Sequence, residues 1–314
     1  MFFRGFAQRI HISDAIVREL PSCQSLARAY TREIPLTSVA TRPEPAAVRR
    51  SVPRRFVMCR PDHFDVFYSI NPWMDPNLAV DRELALSQWE TLRATFEQYG
   101  HHIDVVPGEP GLPDMVFAAN SGLIVGDRVM SARFTHAERA AEGPAYHRWF
   151  AERGYSEVVA AEEINEGEGD FVLIGDRFLA ATGFRSSLAA HKEVERYFGI
   201  PVVSLELVDP RFYHLDTVLM VLGEDEIAYY PAAFSADSQD VLAGLFPDAV
   251  LATDADAEVL GLNGVSDGYN VFLSRRATDL AAALSARGFN PIGMDLSELL
   301  KAGGGVKCCT LEVH

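Results

Sequence analysis

Short apolar segments, paired around a Gly-Asp or Gly-Glu-Asp sequence, recur along the middle of the chain. Such pairs predict β-hairpins, because glycine and aspartate favour the tight turn that joins two antiparallel strands. Three hairpins are predicted, at 121–131, 171–180 and 217–229. Each is followed by a segment whose apolar residues have helical spacing, and then by another short apolar segment. The predicted unit is therefore strand, strand, helix, strand.

This unit recurs about every 50 residues, a spacing typical of repeat architectures. A strand at 55–60 predicts a degenerate first unit and a strand at 269–273 opens the last, which makes five units. Such repeats stack in a line or close into a ring. We predict an α/β ring, a five-fold ββαβ propeller, because polar residues occur at the same point of successive units. The predicted helices lie at 78–99, around 146–150, and at 187–198, 236–246 and 277–287, and the predicted third strands at 103–106, 157–159, 201–203, 249–251 and 290–292.

The first 55 residues differ in charge from the rest of the chain. They contain ten arginines and four acidic residues, a net charge of +6, which leaves −22 for the remainder. The Arg-Pro-Glu-Pro sequence at 42–45 is typical of an arm or linker. An Arg-rich start also resembles a transit peptide, but acidic residues such as Asp14 argue against one. We therefore predict an N-terminal extension over residues 1–55 and a propeller domain over 56–314.

Composition and charge limit the classes of function. With 48% hydrophobic and 23% charged residues the chain is typical of soluble globular proteins. Its net charge of −16 argues against nucleic acid as a partner and favours a cationic small molecule. Four cysteines without a framework spacing indicate a reducing compartment. We predict a cytoplasmic protein with a small-molecule substrate and neither a membrane nor a nucleic-acid partner, and the oligomeric state is left open.

The tail places two cysteines between a glycine run and a short strand. Glycines 303–305 allow close backbone approach, and residues 310–313 alternate polar and apolar, which predicts that the chain re-enters a sheet. Cys308, at the mouth of such a strand, is well placed to act as a nucleophile if a partner lowers its pKa. The alternative is that Cys308 and Cys309 are ordinary buried core residues. Adjacent cysteines are poor joint metal ligands, so neither a metal nor a cofactor is predicted.

Polar residues stand immediately before the predicted hairpins. Each also fits a structural alternative. In that alternative the acidic residues form a solvated turn, the histidine is a hydrogen-bonded core residue or a surface residue, and the asparagine is a turn residue. Equivalent positions in a ring converge on its axis, so their common placement favours one cleft that a thiol, an imidazole, an amide and several carboxylates share. The residues are Asn120 before the first hairpin, Glu166, Glu168 and Asp170 before the second, and His214 and Asp216 before the third.

The sequence Gly-Val-Ser-Asp-Gly at 264–268 matches the Gly-x-Ser-x-Gly pattern of serine hydrolases. In those enzymes the serine stands on a sharp turn that follows a strand and opens a helix. Here the following residues, 269–273, predict a strand instead. We therefore favour Cys308 over Ser266 as the candidate nucleophile.

Several of these motifs occur together in one known group of enzymes. Cys308 after a glycine run, His-Leu-Asp at 214–216, Glu-Gly-Glu-Gly-Asp at 166–170 and Phe-Ala-Ala-Asn at 117–120 resemble the amidinotransferase, or pentein, superfamily. Its members modify guanidines and include arginine deiminases, dimethylarginine dimethylaminohydrolases and arginine dihydrolases. The resemblance covers about residues 56–314. It implies a ring of five strand-strand-helix-strand units and cofactor-free chemistry.

The resemblance also implies a role for each matching residue. Cys308 matches the nucleophile of the superfamily, and His214 its general acid and base. Asp216 resembles the carboxylate that holds the guanidinium group. Glu166 resembles the acid that orients the histidine, although Glu168 competes for this role because the acidic stretch is one residue longer than in deiminases.

Further residues are implied to contact the substrate. Arg139 and Arg185 stand where members of the superfamily hold the α-carboxylate, and Asp170 is a weaker candidate for substrate contact. Deiminases have aspartate where Asn120 stands. Asn120, together with Asn71 in an Asn-Pro-Trp-Met loop, looks more like the arginine dihydrolases.

The implied function is hydrolysis of the guanidino group of arginine or a close analogue through a covalent cysteine intermediate. A planar, permanently charged guanidinium needs a carboxylate to hold it, and its poorly electrophilic carbon needs a strong nucleophile such as a thiolate. Arginine dihydrolase, which gives ornithine, ammonia and carbon dioxide, is the favoured interpretation. The alternatives are dimethylarginine dimethylaminohydrolase, arginine deiminase giving citrulline, transfer of the amidino group to another amine, and a non-catalytic arginine-binding protein.

Overall fold

The computed structural model describes residues 49–314. No helix among them is long and apolar enough to cross a membrane. The division of the chain at residue 55 stays a prediction, because most of the extension lies outside the described residues.

The strands are β1 Arg55–Cys59, β2 His102–Val106, β3 Gly122–Val125, β4 Arg128–Ser131, β5 Glu157–Ala160, β6 Phe171–Ile174, β7 Arg177–Thr182, β8 Val202–Glu206, β9 Leu219–Gly223, β10 Glu226–Tyr229, β11 Val250–Leu251, β12 Val265–Ser266, β13 Asn270–Ser274, β14 Asn290–Met294 and β15 Leu311–Glu312. The helices are α1 Arg82–Gln98, α2 Glu142–Ala151, α3 Leu188–Phe198, α4 Ala236–Leu245, α5 Asp254–Ala257 and α6 Thr278–Ala286.

The strands form five three-stranded sheets, in the orders β15-β1-β2, β3-β4-β5, β6-β7-β8, β9-β10-β11 and β12-β13-β14. In every sheet the middle strand pairs antiparallel with one neighbour and parallel with the other. The chain reaches the parallel neighbour through a helix, because a parallel pair cannot be joined by a tight turn. The five predicted ββαβ units are therefore confirmed.

The tail completes the first sheet. Strand β15 pairs antiparallel with β1, so that Phe56 lies opposite Glu312 and Val57 opposite Leu311. The unit that is degenerate in the sequence thus receives its missing strand from the other end of the chain. As a result the segment that carries Cys308 is fixed at its far end by a sheet.

The last sheet contains a strand that the sequence pattern did not predict, β12. Two residues are too few to show a periodic pattern. The Ser266 hydroxyl in this strand donates a hydrogen bond to the Leu222 carbonyl at 2.9 Å and accepts one from the Gly268 amide at 3.0 Å. The serine therefore belongs to a sheet, and its surroundings are not those of a hydrolase nucleophile.

Packed aromatic rings join the first and last units. The ring centroids of Phe96 and Phe272 are 4.7 Å apart, those of Phe56 and Phe96 are 5.2 Å apart, and all three side chains are buried. Burial of each stabilises the fold by about 1.5–3 kcal/mol. This packing holds the sheet that receives the tail against the last unit.

Candidate active site

In three units a short 3₁₀ turn precedes the first strand of the unit, and these turns position the polar residues. Ala118–Ser121 contains Asn120, Gly167–Gly169 separates Glu166 from Asp170, and Leu215–Thr217 follows His214. The turns belong to consecutive units and lie at equivalent points, so the ring brings them together, as the sequence predicted.

Two glycines allow these turns to approach each other. Gly167 has φ +59°, and a Cβ atom there would lie 2.7 Å from the Ala119 carbonyl oxygen. A Cβ atom on Gly169 would lie 2.2 Å from the Asn120 side-chain nitrogen and 3.2 Å from the His214 ring. The Glu-Gly-x-Gly-Asp spacing is thus a packing requirement, because larger residues would push the histidine and the amide apart.

Glu166 pairs with His214 in the buried centre of the site. Its Oε2 lies 2.8 Å from His214 Nε2 and 3.1 Å from Arg185 Nη1, and its Oε1 accepts a hydrogen bond from the Thr135 amide at 3.0 Å. Burial alone would raise the pKa of Glu166, but the hydrogen bond from His214 and the charge of Arg185 lower it below the usual value. Glu166 is therefore held as an anion in hydrogen-bond contact with the imidazole.

Glu168 faces a different set of partners. Its Oε2 lies 2.5 Å from Lys307 Nζ and 2.9 Å from the Glu312 amide, and its Oε1 lies 3.0 Å from His314 Nε2. These contacts anchor the tail around Cys308. Of the two competing acids, the geometry favours Glu166 as the partner of His214.

The Cys308 sulfur lies between a carboxylate and an amide. Sγ is 3.3 Å from Asp216 Oδ2 and accepts a hydrogen bond from Asn263 Nδ2 at 3.1 Å. Burial, and then the charge of Asp216, raise the pKa of Cys308 well above its usual value. In the free protein the group is therefore a thiol that donates to Asp216.

One carboxylate oxygen of Asp216 is available to a ligand. Its Oδ2 is occupied by the thiol, whereas its Oδ1 is buried and has no hydrogen-bond partner among residues 49–314. Burial raises the pKa of Asp216 to about 7, although the nearby Lys307 charge opposes this. A buried acceptor without a partner is unfavourable, so a cation that pairs with Oδ1 is strongly favoured there.

Arg139 holds Asn120 in place. Its Nη1 donates to Asn120 Oδ1 at 2.8 Å, while Nε and Nη2 form a bidentate pair with Glu142 at 3.0 and 2.8 Å. The Asn120 Nδ2 donates in turn to the Glu166 carbonyl at 3.3 Å. The guanidinium of Arg139 is thus engaged by protein groups, and its predicted contact with a substrate carboxylate stays a prediction.

Hydrogen bonds from Arg185 and Asn71 hold the loop around Asn71 against the same region. Arg185 Nη2 donates to the Ile70 carbonyl at 2.9 Å, and its guanidinium carbon lies 4.6 Å from the centre of the Tyr213 ring. Asn71 Nδ2 donates to the Ala302 carbonyl at 3.1 Å. The loop around Asn71 is therefore linked both to the Glu166 cluster and to the glycine run before Cys308.

Asp170 positions the backbone. Its Oδ2 accepts from the Ser186 amide at 3.0 Å and its Oδ1 from the Leu215 amide at 3.3 Å. Both oxygens are therefore engaged by the protein. This geometry favours a role in holding the His214 segment over the substrate contact proposed from the sequence.

Two residues of the site were missed by sequence reasoning. Asn263 contacts the Cys308 sulfur, and its only signal was an amide between two apolar or glycine neighbours. Asp114 is buried with an unpartnered Oδ1, while its Oδ2 accepts from the Tyr68 hydroxyl at 2.8 Å. The Oδ2 atom of Asp114 also lies 3.9 Å from Arg139 Nε, and the unpartnered Oδ1 is a second free acceptor in the site.

A cysteine beside a carboxylate with a free oxygen, and a histidine held by a second acid, define a class of protein. They are the parts of an enzyme that attacks a cationic carbon with sulfur and moves protons with an imidazole. Within residues 49–314, no group of three or more His, Cys, Asp or Glu side chains is arranged to hold a metal ion.

Comparison with known proteins agrees with this class. No protein-family profile matches the chain. The chain is 53% identical over 261 residues to an N(G),N(G)-dimethylarginine dimethylaminohydrolase of Mycobacterium tuberculosis, covering 83% of this chain and 86% of the relative. It is 39% identical over 265 residues to the bifunctional arginine dihydrolase/ornithine cyclodeaminase AgrE of Nostoc, covering 82% of this chain but only 38% of that larger protein.

Solved structures show the same fold. The N-terminal domain of ArgZ, a cyanobacterial arginine dihydrolase, superposes with a TM-score of 0.80 at 38% identity in its product-bound form, over 84% of this chain and 98% of that domain. A dimethylarginine dimethylaminohydrolase structure at 18% identity has a TM-score of 0.67 and supports the ring fold alone. The chain belongs to the amidinotransferase, or pentein, superfamily of guanidine-modifying enzymes. The predicted superfamily and its five-fold ring are confirmed.

Proposed function

We propose that the protein hydrolyses the guanidino group of arginine twice, as an arginine dihydrolase, through a covalent intermediate on Cys308. The observation that carries the proposal is the unpartnered Asp216 Oδ1 beside the Cys308 sulfur. We assign the α-carboxylate of an amino acid to Arg185, whose guanidinium also holds Glu166 and the Ile70 carbonyl, and the α-ammonium to the unpartnered oxygen of Asp114.

Substrate binding activates the nucleophile. The guanidinium pairs with Asp216, which removes the repulsion that disfavours a neighbouring thiolate, and its own charge lowers the pKa of Cys308. The thiol proton then leaves to solvent. The thiolate forms a bond to the guanidinium carbon and gives a tetrahedral adduct.

His214 moves the protons of the following steps. As an imidazolium held by Glu166, it protonates the departing amine, and the carbon–nitrogen bond breaks to leave an amidino-thioether on Cys308. The neutral imidazole then takes a proton from water, which attacks the same carbon. The carbon–sulfur bond breaks, Cys308 leaves as a thiolate, the hydroxyl proton is lost to solvent, and a neutral ureido product remains.

The second cycle needs the neutral ureido group to stay in place. An amide both donates and accepts hydrogen bonds, whereas a carboxylate only accepts. Asn120 is buried beside the Glu166 segment and Asn71 beside the glycine run, and we assign this role to their amides. Attack by Cys308 on the ureido carbon, with release of ammonia, and hydrolysis of the resulting thiocarbamate then give carbon dioxide and ornithine.

The test is to incubate the protein with L-arginine and with asymmetric dimethylarginine and to identify the products by mass spectrometry. We expect ornithine, ammonia and carbon dioxide from arginine, and no product from the Cys308→Ser variant, which should still bind arginine in calorimetry. Citrulline as the final product of arginine rejects the dihydrolase proposal. Binding without turnover by the wild-type protein supports a non-catalytic arginine-binding protein instead.

Dimethylarginine dimethylaminohydrolase is the second candidate, because a relative of that name is 53% identical over most of its length. With this activity the protein would release dimethylamine and citrulline from dimethylarginine and would turn over little arginine. Asn120→Asp is the variant that separates the two reactions. If the dihydrolase proposal is right, this variant should release citrulline in place of ornithine, because the second attack needs the amide.

A further inference from the structure

The side chain of Asn263 is fully buried and is directed at the nucleophile. Its Oδ1 accepts a hydrogen bond from the Cys308 amide at 3.1 Å, and its Nδ2 donates to the Cys308 sulfur at 3.1 Å. The same Nδ2 lies 3.0 Å from the Asp216 carbonyl oxygen. One amide therefore links the backbone and sulfur of the cysteine to the backbone of the aspartate.

The loop that carries Asn263 is held in an unusual conformation. Leu260 has φ +49°, and it is the one non-glycine residue of 49–314 in the left-handed region. Its carbonyl accepts the Asn263 amide at 3.0 Å, which forms a turn, and the Asn263 carbonyl accepts the Lys307 amide at 3.2 Å. Backbone strain of this kind persists where the surroundings enforce it, often beside functional groups.

The nucleophile loop is shaped around the Asn263 amide. A Cβ atom on Gly305 would lie 2.8 Å from Asn263 Oδ1, so a larger residue there would displace the amide. The glycine run noted in the sequence thus serves in part to admit this side chain.

We propose that Asn263 is a further catalytic residue: its side-chain amide stabilises the negative charge on the Cys308 sulfur, both before attack and when the sulfur departs. The inference rests on the proposed function, in which that sulfur forms and breaks the covalent bond.

The balance of charges around the sulfur explains why such a donor is needed. As a thiol, Cys308 donates to Asp216 Oδ2 at 3.3 Å. Once the proton is lost, that carboxylate oxygen faces the sulfur with a like charge. Burial and Asp216 raise the pKa of Cys308, and the Gly305 backbone opposes this rise. Asn263 Nδ2 donates from another direction, where it favours the thiolate at every stage of the cycle.

The proposal is tested by alkylation of Cys308 with iodoacetamide. The rate of this reaction depends on the fraction of Cys308 that is thiolate, and the neutral reagent does not require arginine to bind. The rate at Cys308 is followed by peptide mass mapping from pH 6 to 10, because the sequence contains three other cysteines, Cys23, Cys59 and Cys309. In Asn263→Asp, Oδ1 still accepts the Cys308 amide, but a donor is replaced by an acceptor. We expect about 10-fold to 100-fold slower alkylation near neutral pH, and a profile displaced to higher pH.

Two further variants control for the fold. Asn290→Ala removes an amide that donates to Asn270 at 2.8 Å, outside the site, and should alkylate like the wild type. Asn263→Ser keeps a short donor and should lie between the wild type and Asn263→Asp. Alkylation of Cys308 in Asn263→Asp at the wild-type rate and with the wild-type pH profile overturns the proposal, as does equal slowing in Asn290→Ala.

The two proposals fail in distinguishable ways. If the wild-type protein alkylates as expected but turns over neither arginine nor dimethylarginine, the proposed function is wrong and the role of Asn263 at the sulfur stands. If arginine is hydrolysed and kcat is unchanged in Asn263→Asp, the inference about Asn263 alone is wrong.

Discussion

At the scale of single residues, the Asp216 carboxyl group has to lose its proton before it can hold a cation. Burial raises its pKa to about 7, with Lys307 opposing and Glu168 adding to the rise. A raised pKa means that the group is protonated below about pH 7 and charged above it. Arginine affinity should therefore increase as the pH rises through this value and be lost as the pH falls, by about tenfold per pH unit.

This pH dependence is measured by calorimetry of arginine binding to Cys308→Ser between pH 5.5 and 8.5, a variant that prevents turnover. Asp216→Asn is the matched control, because it has no charge to titrate. We expect it to bind weakly and with little change across the range. A dissociation constant for Cys308→Ser that is equal at pH 6 and pH 8 contradicts the assigned role of Asp216.

The acidic stretch shows what residue-level sequence reasoning could and could not predict. The motif placed Glu166 and Glu168 in the site region but could not choose between them. Their directions depend on Gly167, whose positive φ turns the chain so that one acid meets His214 and the other meets Lys307. A backbone angle at one glycine is not visible in a pattern of residue types.

At the scale of elements, the glycine run before Cys308 packs closely against the segment that contains Phe117. A Cβ atom on Gly304 would lie 2.1 Å from the Phe117 ring, which is buried in the same core as Cys308. Gly304→Ala should therefore lower the free energy of unfolding by about 1–3 kcal/mol and slow alkylation of Cys308, since the loop must move. Both are measured by denaturant unfolding and iodoacetamide kinetics.

Gly244→Ala is the control for this substitution. Gly244 lies inside α4, and nothing is within 4 Å of the position that a Cβ atom would take. Alanine should there stabilise the fold by about 0.5–1 kcal/mol, because glycine is a poor helix residue. Equal stability of Gly304→Ala and Gly244→Ala would show that the Phe117 contact does not constrain the loop.

Hairpins with a Gly-Asp turn were the elements that sequence predicted best, because turn chemistry and strand pattern agree there. The elements it missed or left incomplete are a very short strand and a pairing between distant segments. Strand β12 is only two residues long, and β15 pairs with a strand more than 250 residues away, as the partners Phe56 and Glu312 show. Like the pairing of β15, the contact of Asn263 with Cys308 joins segments that are distant in the sequence, so it was missed.

At the scale of the whole molecule, the ring gathers residues from all five units, and from the tail, around one site. Polar residues at equivalent points of a repeat were enough to predict this convergence. Sequence could not predict which polar groups would be left without partners. The free oxygen atoms of Asp216 and Asp114 emerge only from the packed structure, and they carry the argument for a positively charged substrate.

The net charge of −16 acts on the same substrate from a distance. A negative protein raises the local concentration of a cation, and salt screens this attraction as the Debye length falls from about 30 Å at 0.01 M to about 3 Å at 1 M. We expect kcat/KM for arginine to fall about threefold between about 0.01 and 0.3 M NaCl, chiefly through KM. Iodoacetamide is uncharged, so its reaction with Cys308 is the control and should change little over this range. An equal response of both reactions to salt would mean that salt alters the site itself, and the long-range attraction would then have no measurable part in substrate capture.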